Sequence, residues 1–365
     1  RFFPFFSFFY GVFFGFFLFF LLCFIYSFGF AETETYCVTT ARTTHPACFV
    51  TFERTRAFNE PSPFVQGTAK YWVVFVVEAK VGLQWDNVPM DKCSDDLVKL
   101  ATTDASACVH PHGATLLSWT YKGKEHIFLS EQAVFDNKKA IRGGIPFVFP
   151  NFGPWSLGPQ HGFARTSRWT LKEAPHTLAN GDTTAVFILS DVEQTRAIWD
   201  FRFQLIYRVT LRGNQLVLEV EVVNTDENEF EFTLLLHTYL KTDDIQLCSI
   251  SNLKGCSYID KVDGNKEKTE TAELVCIRRA TDRVYKKTGE KHSCKLNGST
   301  VNIIKKNFPD TVVWNPWDQN AKDMADFGDE EYLKMICVEA GAVSEPIILK
   351  SKGVFKASCT LEVAA

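Results

Sequence analysis

The chain lacks several of the patterns by which common catalytic and cofactor-binding sites are recognised. It has no P-loop, no dinucleotide-binding glycine pattern, no Gly-x-Ser-x-Gly elbow and no histidine and cysteine spacing typical of a metal site. These absences argue against the nucleotide-dependent enzymes, serine hydrolases and zinc proteins that such patterns mark. We therefore expect no cofactor and no metal, and either acid–base catalysis or binding alone.

The chain also lacks an excess of positive charge. It has 39 lysines and arginines against 43 aspartates and glutamates, which gives a net charge of -4. A protein that grips a nucleic-acid backbone needs clustered basic residues. We expect no nucleic-acid partner, and any phosphate that the protein binds should belong to a small molecule.

Paired cysteines are absent too. The eleven cysteines include no C-x-x-C pair, and their number is odd. This distribution matches neither a disulfide framework nor a zinc site. We interpret the cysteines as free thiols in a reducing compartment.

The first 30 residues differ in composition from the rest of the chain. They hold 15 of the 34 phenylalanines, and Arg1 is the only charged residue before Glu32. An apolar stretch of about 20 residues can span a bilayer, and residues 29–31 resemble a signal-peptide cleavage site. Residues 1–30 could therefore be a signal or an anchor, which would make the protein secreted or membrane-anchored.

A second interpretation is that residues 1–89 are upstream sequence translated in frame. Met90 is the first of only three methionines, and residues 31–89 show no sustained helical or strand period. The working domain would then be residues 90–365, and the protein would be cytoplasmic. The sequence leaves both interpretations open.

The pattern from Val109 onward is that of short β-strands. Apolar and polar residues alternate in residues 216–222, 229–240 and 355–363, and residues 113–129 have the pattern of a hairpin. Long helical patterns are missing. An antiparallel β-sandwich of large sheets in one all-β domain is predicted.

Two glycine-rich segments carry candidate binding residues. Arg142 precedes a pair of glycines, and Arg165 follows Gln160 and His161. Paired glycines allow close backbone approach or positive φ, and guanidinium groups suit bidentate contact with phosphate or carboxylate. The two arginines predict a site for a small dianion. The alternative is that each arginine pairs with a local acid at the rim of the sandwich.

Two strands carry candidate acid–base groups. His237 lies opposite the row of apolar residues in its strand, and Glu339 ends the apolar run 332–339. A buried imidazole needs a partner, and a buried carboxylate is costly unless it is paired or acts as a base. The alternatives are a hydrogen-bonded histidine without a chemical role and a glutamate that reaches water.

Two further candidates lie in segments with the character of loops. Asp260 could bind sugar hydroxyls, and the tryptophans of residues 314–317 could stack on a sugar face. A tryptophan is, however, more often a core residue.

Several of these segments together resemble the hexose-6-phosphate mutarotases, a branch of the aldose 1-epimerase superfamily. They follow the order of that family over about residues 105–363. The matching stretches are residues 141–150, 159–165, 236–239, 253–260, 281–285, 313–317, 324–327 and 335–339.

The resemblance implies a galactose-mutarotase-like β-supersandwich that acts on the anomeric carbon of a sugar phosphate, glucose 6-phosphate first. By this resemblance His237 would be the general acid and Glu339 the general base. The substrate would be held by Arg142, Gln160, His161, Arg165 and Asp260, with the arginines on the phosphate. Relatives often have Pro-Gly-x-Val where this chain has Ala340–Val343, which is expected to alter a turn.

Two other functions stay open at this stage. One is a non-catalytic protein that senses or binds a sugar phosphate, and the other is a mutarotase of unphosphorylated aldoses. In each case the partner is a small molecule and the protein is expected to be a monomer.

Overall fold

The computed structural model describes residues 96–296 and 298–364. Within these residues the chain forms three antiparallel sheets of four, eight and nine strands. The predicted all-β sandwich is therefore confirmed. The predictions for residues 1–30, for residues 31–89 and for a start at Met90 lie outside the described residues.

The strands follow one another along the chain with short connections. Their bounds are β1 (Val98–Ala101), β2 (Ala105–His110), β3 (Thr115–Tyr121), β4 (Lys124–Glu125), β5 (Phe147–Val148), β6 (Thr170–Thr177), β7 (Thr183–Ser190), β8 (Phe203–Arg212), β9 (Gln215–Asn224), β10 (Phe230–Leu236), β11 (Tyr239–Lys241), β12 (Ser249–Ser251), β13 (Ser257–Asp260), β14 (Lys266–Thr269), β15 (Leu274–Val275), β16 (Thr281–Tyr285), β17 (Lys291–Leu296), β18 (Ser299–Lys306), β19 (Asp310–Asn315), β20 (Met335–Leu349) and β21 (Val354–Val363).

Helices are few and short in the described chain. The α-helices are α1 (Glu193–Ile198) and α2 (Trp317–Lys322), and single 3-10 turns cover Ala164–Thr166, Ile245–Leu247, Lys261–Asp263 and Glu331–Lys334. Among the described residues no helix has the length and apolar character to cross a membrane. This agrees with the missing helical periodicity in the sequence.

The two large sheets enclose the main core. One sheet has the order β14-β13-β16-β19-β20-β10-β5, with β11 also paired to β20, and the other has the order β15-β12-β17-β18-β21-β9-β8-β7-β6. The alternating apolar residues of β9, β10 and β21 are buried together in one cluster. Since successive side chains of a strand point to opposite faces, each of these strands presents its other row of side chains outward.

The strand predicted over residues 229–240 is interrupted at residues 237 and 238. β10 ends at Leu236 and β11 begins at Tyr239. The backbone N–H of His237 donates instead to the carbonyl oxygen of Pro146, at 3.0 Å. The interruption leaves His237 between two strands that both pair with β20.

The strand predicted over residues 332–339 is wrong at both ends. Residues 332–334 belong to a 3-10 turn, and β20 begins at Met335 and continues beyond Glu339 to Leu349. The turn is held by the Glu331 carboxylate, which accepts from the backbone N–H of Gly328 at 2.7 Å. Alternation of apolar and polar residues did not reveal this local hydrogen bond.

The turn expected at Ala340–Val343 is also absent. Ala340 pairs with Leu236 of β10 on one side and with Thr311 of β19 on the other. This segment is therefore the middle of a central strand, and a proline at residue 340 would remove a backbone N–H from it.

Candidate active site

The outer face of β20 carries the candidate chemistry. Val338 and Ala340 point into the main core, while Cys337 and Glu339 point to the opposite face. Glu339 pairs with Val312 of β19, and Cys337 pairs with Trp314 of the same strand. Tyr239 of β11 pairs with Cys337 from the other side. These side chains form the floor of the site.

Glu339 is a buried carboxylate with no compensating contact. It is 1% exposed, and neither carboxylate oxygen has a hydrogen-bond partner among the described residues. Burial raises the pKa of Glu339 well above its ordinary value, and the nearby carboxylate of Asp282 raises it further. The environment therefore favours the protonated form.

His237 lies directly against this carboxylate. Its Nδ1 is 3.4 Å from Oε1 of Glu339, beyond hydrogen-bond distance for a well-made bond. Its ring stacks on Tyr239 with centroids 4.8 Å apart and meets Trp314 edge-on at 5.8 Å. The two aromatic rings fix the plane of the imidazole.

The pKa of His237 moves in the opposite direction to that of Glu339. Burial lowers it well below the ordinary value, and the positive charges of Arg165 and Arg142 lower it further. These opposite directions favour a neutral imidazole on His237 and a protonated carboxyl group on Glu339. One member can donate a proton while the other accepts one.

Arg142 reaches the site from the segment between β4 and β5. Its guanidinium forms an ion pair with Asp326 at 3.1 Å and donates to the Tyr239 hydroxyl at 3.4 Å. Gly144 has a φ of +71°, and a Cβ there would lie 2.3 Å from the carbonyl oxygen of Leu116. The paired glycines thus approach the protein's own backbone, and they hold Arg142 in place.

Arg165 is the second cation of the site. It lies in the 3-10 turn Ala164–Thr166 and donates to the carbonyl oxygen of Gln160 at 2.8 Å. Burial lowers its pKa to about 10, and the positive charge of Arg142 contributes to the lowering. Both guanidinium groups are therefore charged at neutral pH and feel each other's field, as expected of a dianion site.

His161 and Gln160 border the same cluster. The His161 ring meets His237 edge-on at 5.9 Å, and its Nδ1 accepts from the backbone N–H of Gly153 at 3.2 Å. The Gln160 amide nitrogen lies 3.3 Å from Nε2 of His161. Burial, and then the charge of Arg165, lower the pKa of His161 to about 3, so its ring is neutral.

The structure does not bring Asp260 to this cluster. Asp260 lies in β13 and pairs with Arg283, and its carboxylate accepts from Lys268 at 2.8 Å. The neighbouring residue of β16, Asp282, pairs with Trp314 and therefore lies on the face of Glu339. Besides Glu339, the carboxylate on this face of the sheet is that of Asp282.

Several residues near the site were not predicted from the sequence. These residues contact the predicted site residues. Those that lie on strands could be found only from the register between neighbouring strands, which the sequence does not give. Lys261 lies 3.6 Å from Asp282 and over the ring of Phe152. The others are Tyr239, Asp282, Asp326 and Cys337.

The architecture defines the class of protein to which this chain is similar. A crystal structure of a "putative mutarotase" from Salmonella typhimurium superimposes with a TM-score of 0.69 at 30% identity, and covers 74% of this chain and 92% of that one. A galactose mutarotase related enzyme from Lactobacillus acidophilus superimposes with a TM-score of 0.61 at 18% identity, and covers 74% and 97%. The fold is that of the galactose-mutarotase-like proteins.

Sequence comparison gives the family. The aldose 1-epimerase family matches residues 96–362. A protein of Cenchrus ciliaris named "Putative glucose-6-phosphate 1-epimerase" is 35% identical over 274 residues, which is 71% of this chain and 82% of that protein. A protein of Escherichia coli K12 with the same name is 35% identical over 257 residues, or 68% and 84%. The chain belongs to the aldose 1-epimerase family, and its activity is that of a sugar epimerase.

The uncompensated carboxylate predicts a gain in stability on its removal. Glu339 has a raised pKa in the folded state, so the folded state keeps a proton that the unfolded state loses above about pH 4.5. Stability is lost as pH rises from that value through the folded pKa, by about 1.4 kcal/mol for each pKa unit of difference. Glu339→Gln should therefore stabilise the protein more at pH 8 than at pH 5.

Urea unfolding at both pH values measures this gain. The control is Glu345→Gln, which changes a glutamate side chain that is 73% exposed. An equal effect of Glu339→Gln at the two pH values would contradict the raised pKa.

Proposed function

We propose that this protein interconverts the α and β anomers of a hexose 6-phosphate, with glucose 6-phosphate as the first candidate. The observation that carries the proposal is the buried pair of His237 and Glu339, 3.4 Å apart, beside two charged guanidinium groups. The names of the relatives from Cenchrus ciliaris and Escherichia coli support the same substrate.

The proposed reaction moves two protons and no other group. A base takes the proton from the O1 hydroxyl while an acid protonates the ring oxygen, so the bond from C1 to the ring oxygen breaks and an aldehyde forms. Rotation about the bond between C1 and C2 presents the other face, and the reverse transfers close the ring. Glu339 is the proposed base and His237 the proposed acid.

Substrate binding would prepare the pair for these roles. Burial lowers the pKa of His237 most, and the positive field of the two guanidinium groups lowers it further. A phosphate dianion on Arg142 and Arg165 would neutralise that field, and a sugar hydroxyl that donates to Glu339 would stabilise its carboxylate. Both effects move the shared proton from Glu339 to His237.

The remaining contacts orient the ring. Arg142 and Arg165 would bind the phosphate, with Gln160 and His161 at the same end of the site. Trp314 offers an apolar ring face beside His237. The structure favours Asp282 over Asp260 as the carboxylate that binds sugar hydroxyls, because only Asp282 shares a face with Glu339. Binding energy at the phosphate then serves to position C1 between the two catalytic groups.

The proposed catalytic domain is residues 90–365, which contain the family match of residues 96–362. A reducing compartment such as the cytoplasm is part of the proposal. Five cysteines of the described chain are free thiols, which supports it: Cys256, Cys276, Cys294, Cys337 and Cys359.

Loss of either catalytic group should lower turnover. Glu339→Gln and His237→Asn each remove one proton-transfer partner, which should lower kcat by about 100- to 10,000-fold with little change in KM. Saturation-transfer NMR on glucose 6-phosphate with the full chain measures the exchange of anomers. Retained binding by calorimetry without enhanced exchange in the unaltered protein would instead favour a sugar-phosphate sensor.

The two arginines should determine the preference for a phosphorylated sugar. Arg142→Ala and Arg165→Ala should each raise KM for glucose 6-phosphate roughly 10- to 100-fold, since a hydrogen bond to a charged group contributes about 1.5–3 kcal/mol. Arg196→Ala is the matched control, because the Arg196 side chain pairs with Asp200 at the surface end of α1, away from the site. An unchanged KM, with turnover of free glucose equal to that of the phosphate ester, would favour a mutarotase of unphosphorylated aldoses.

The two aspartates offer a direct comparison. Asp282→Asn should raise KM for the sugar phosphate about tenfold through a weakened charged hydrogen bond. Asp260→Asn should leave KM within about twofold, since its carboxylate is engaged by Lys268. Steady-state kinetics of both variants decides between them, and the opposite ranking would assign the sugar hydroxyls to Asp260.

A further inference from the structure

Cys337 adds a third ligating group to the floor of the site. It lies two residues before Glu339 on the same face of β20, and the thiol of Cys337, one nitrogen of His237 and one carboxylate oxygen of Glu339 all lie within 4.8 Å of one another. His237 is one hundred residues away in sequence, so the cluster has no recognisable ligand spacing. The proposed anomerisation does not use the thiol.

The ligating atoms of this cluster are buried and unsatisfied. Glu339 is 1% exposed and Cys337 is fully buried. Both Glu339 oxygens and Nδ1 of His237 lack a hydrogen-bond partner within the described chain. Buried polar atoms without a partner are costly, so a ligand that supplies one offsets that cost.

We propose that His237, Cys337 and Glu339 form a binding site for one thiophilic divalent cation such as Zn²⁺. Imidazole, thiolate and carboxylate are the three ligand classes that Zn²⁺ takes, at about 2.0–2.3 Å each. The three ligand atoms already lie within 4.8 Å of one another, and coordination requires side-chain rotations that turn them towards one ion. A fourth position stays open for water.

The cation inhibits the enzyme. It displaces the thiol proton of Cys337 and the proton shared by His237 and Glu339, and both protons go to solvent. With their lone pairs on the metal, neither catalytic group can exchange a proton with a sugar. The charges of Arg142 and Arg165 oppose a cation here, so the binding is reversible.

Metal alone tests the site without reference to any activity. Cd²⁺, which gives a thiolate charge-transfer band in the ultraviolet, is titrated into the full chain and into two variants. The unaltered protein and Cys276→Ser, which lacks an exposed thiol, should show the same tight binding step. Cys337→Ser should lose that step. The affinity for Cd²⁺ should fall at least about tenfold, because mutating a residue that merely contacts a metal ligand already lowers metal affinity by that factor.

Glu339→Gln gives a second check, because the amide is a far weaker metal ligand at the same position. It should weaken the tight step by at least about tenfold as well. Circular dichroism confirms that each variant is folded. A tight step that survives in folded Cys337→Ser or in Glu339→Gln would overturn the proposal.

The inhibition rests on the proposed function and is measured separately. Zn²⁺ should raise the apparent KM for glucose 6-phosphate without changing kcat, and a chelator should restore the original value. If the protein catalyses no anomer exchange, the proposed function fails while the Cd²⁺ titration still decides the metal site. If exchange is present and insensitive to Zn²⁺ in the unaltered protein, the inhibitory site is overturned.

Discussion

The buried carboxylate of Glu339 is the constraint on which the rest of the site depends. Its strand, β20, is paired on both sides, while the side-chain oxygens of Glu339 have no hydrogen-bond partner among the described residues. The cost of that desolvation is offset by the apolar residues of the same strand that point into the main core. A central strand can carry such a group because the core on its other face holds it in position.

Electrostatics divides the site into two regions. Near Glu339 and Asp282 the raised pKa values favour neutral carboxyl groups. Near Arg142 and Arg165, burial and then the positive field of the guanidinium groups lower the pKa values of His161 and His237 and favour neutral rings. A sugar phosphate matches this arrangement. Its negative phosphate would meet the positively charged arginine end, and its neutral hydroxyl groups would meet the carboxyl groups at the other end.

Much of the fold followed from periodicity in the sequence. The apolar row of Phe230, Phe232, Leu234 and Leu236 is buried as predicted, and its alternation placed His237 on the opposite face. Periodicity could not show that residues 332–334 form a turn, because a hydrogen bond from Gly328 to Glu331 decides it. Local hydrogen bonds of this kind can override the conformation that an alternating pattern predicts, and they produce no periodic signal in the sequence.

The site was predictable in its residue types and less so in its partners. His237, Glu339, Arg142, Arg165, Gln160 and His161 do lie together. Asp260 does not, because its register with Arg283 turns it to the other face. Nor could the sequence show the ion pair of Arg142 with Asp326, since 184 residues separate the two. Such pairs depend on how loops meet in space, which strand patterns do not encode.

The location of the two groups of residues has an evolutionary consequence. Glu339 lies in the central strand β20, and His237 lies in the two-residue break between β10 and β11, which both pair with β20, whereas Arg142, Gln160, His161 and Arg165 lie on longer segments between strands. Loop segments tolerate substitution and changes of length more readily than a central strand does. If the proposed roles hold, a lineage could change which end group of a sugar it recognises by mutating loops alone, while the proposed proton-transfer pair is inherited intact.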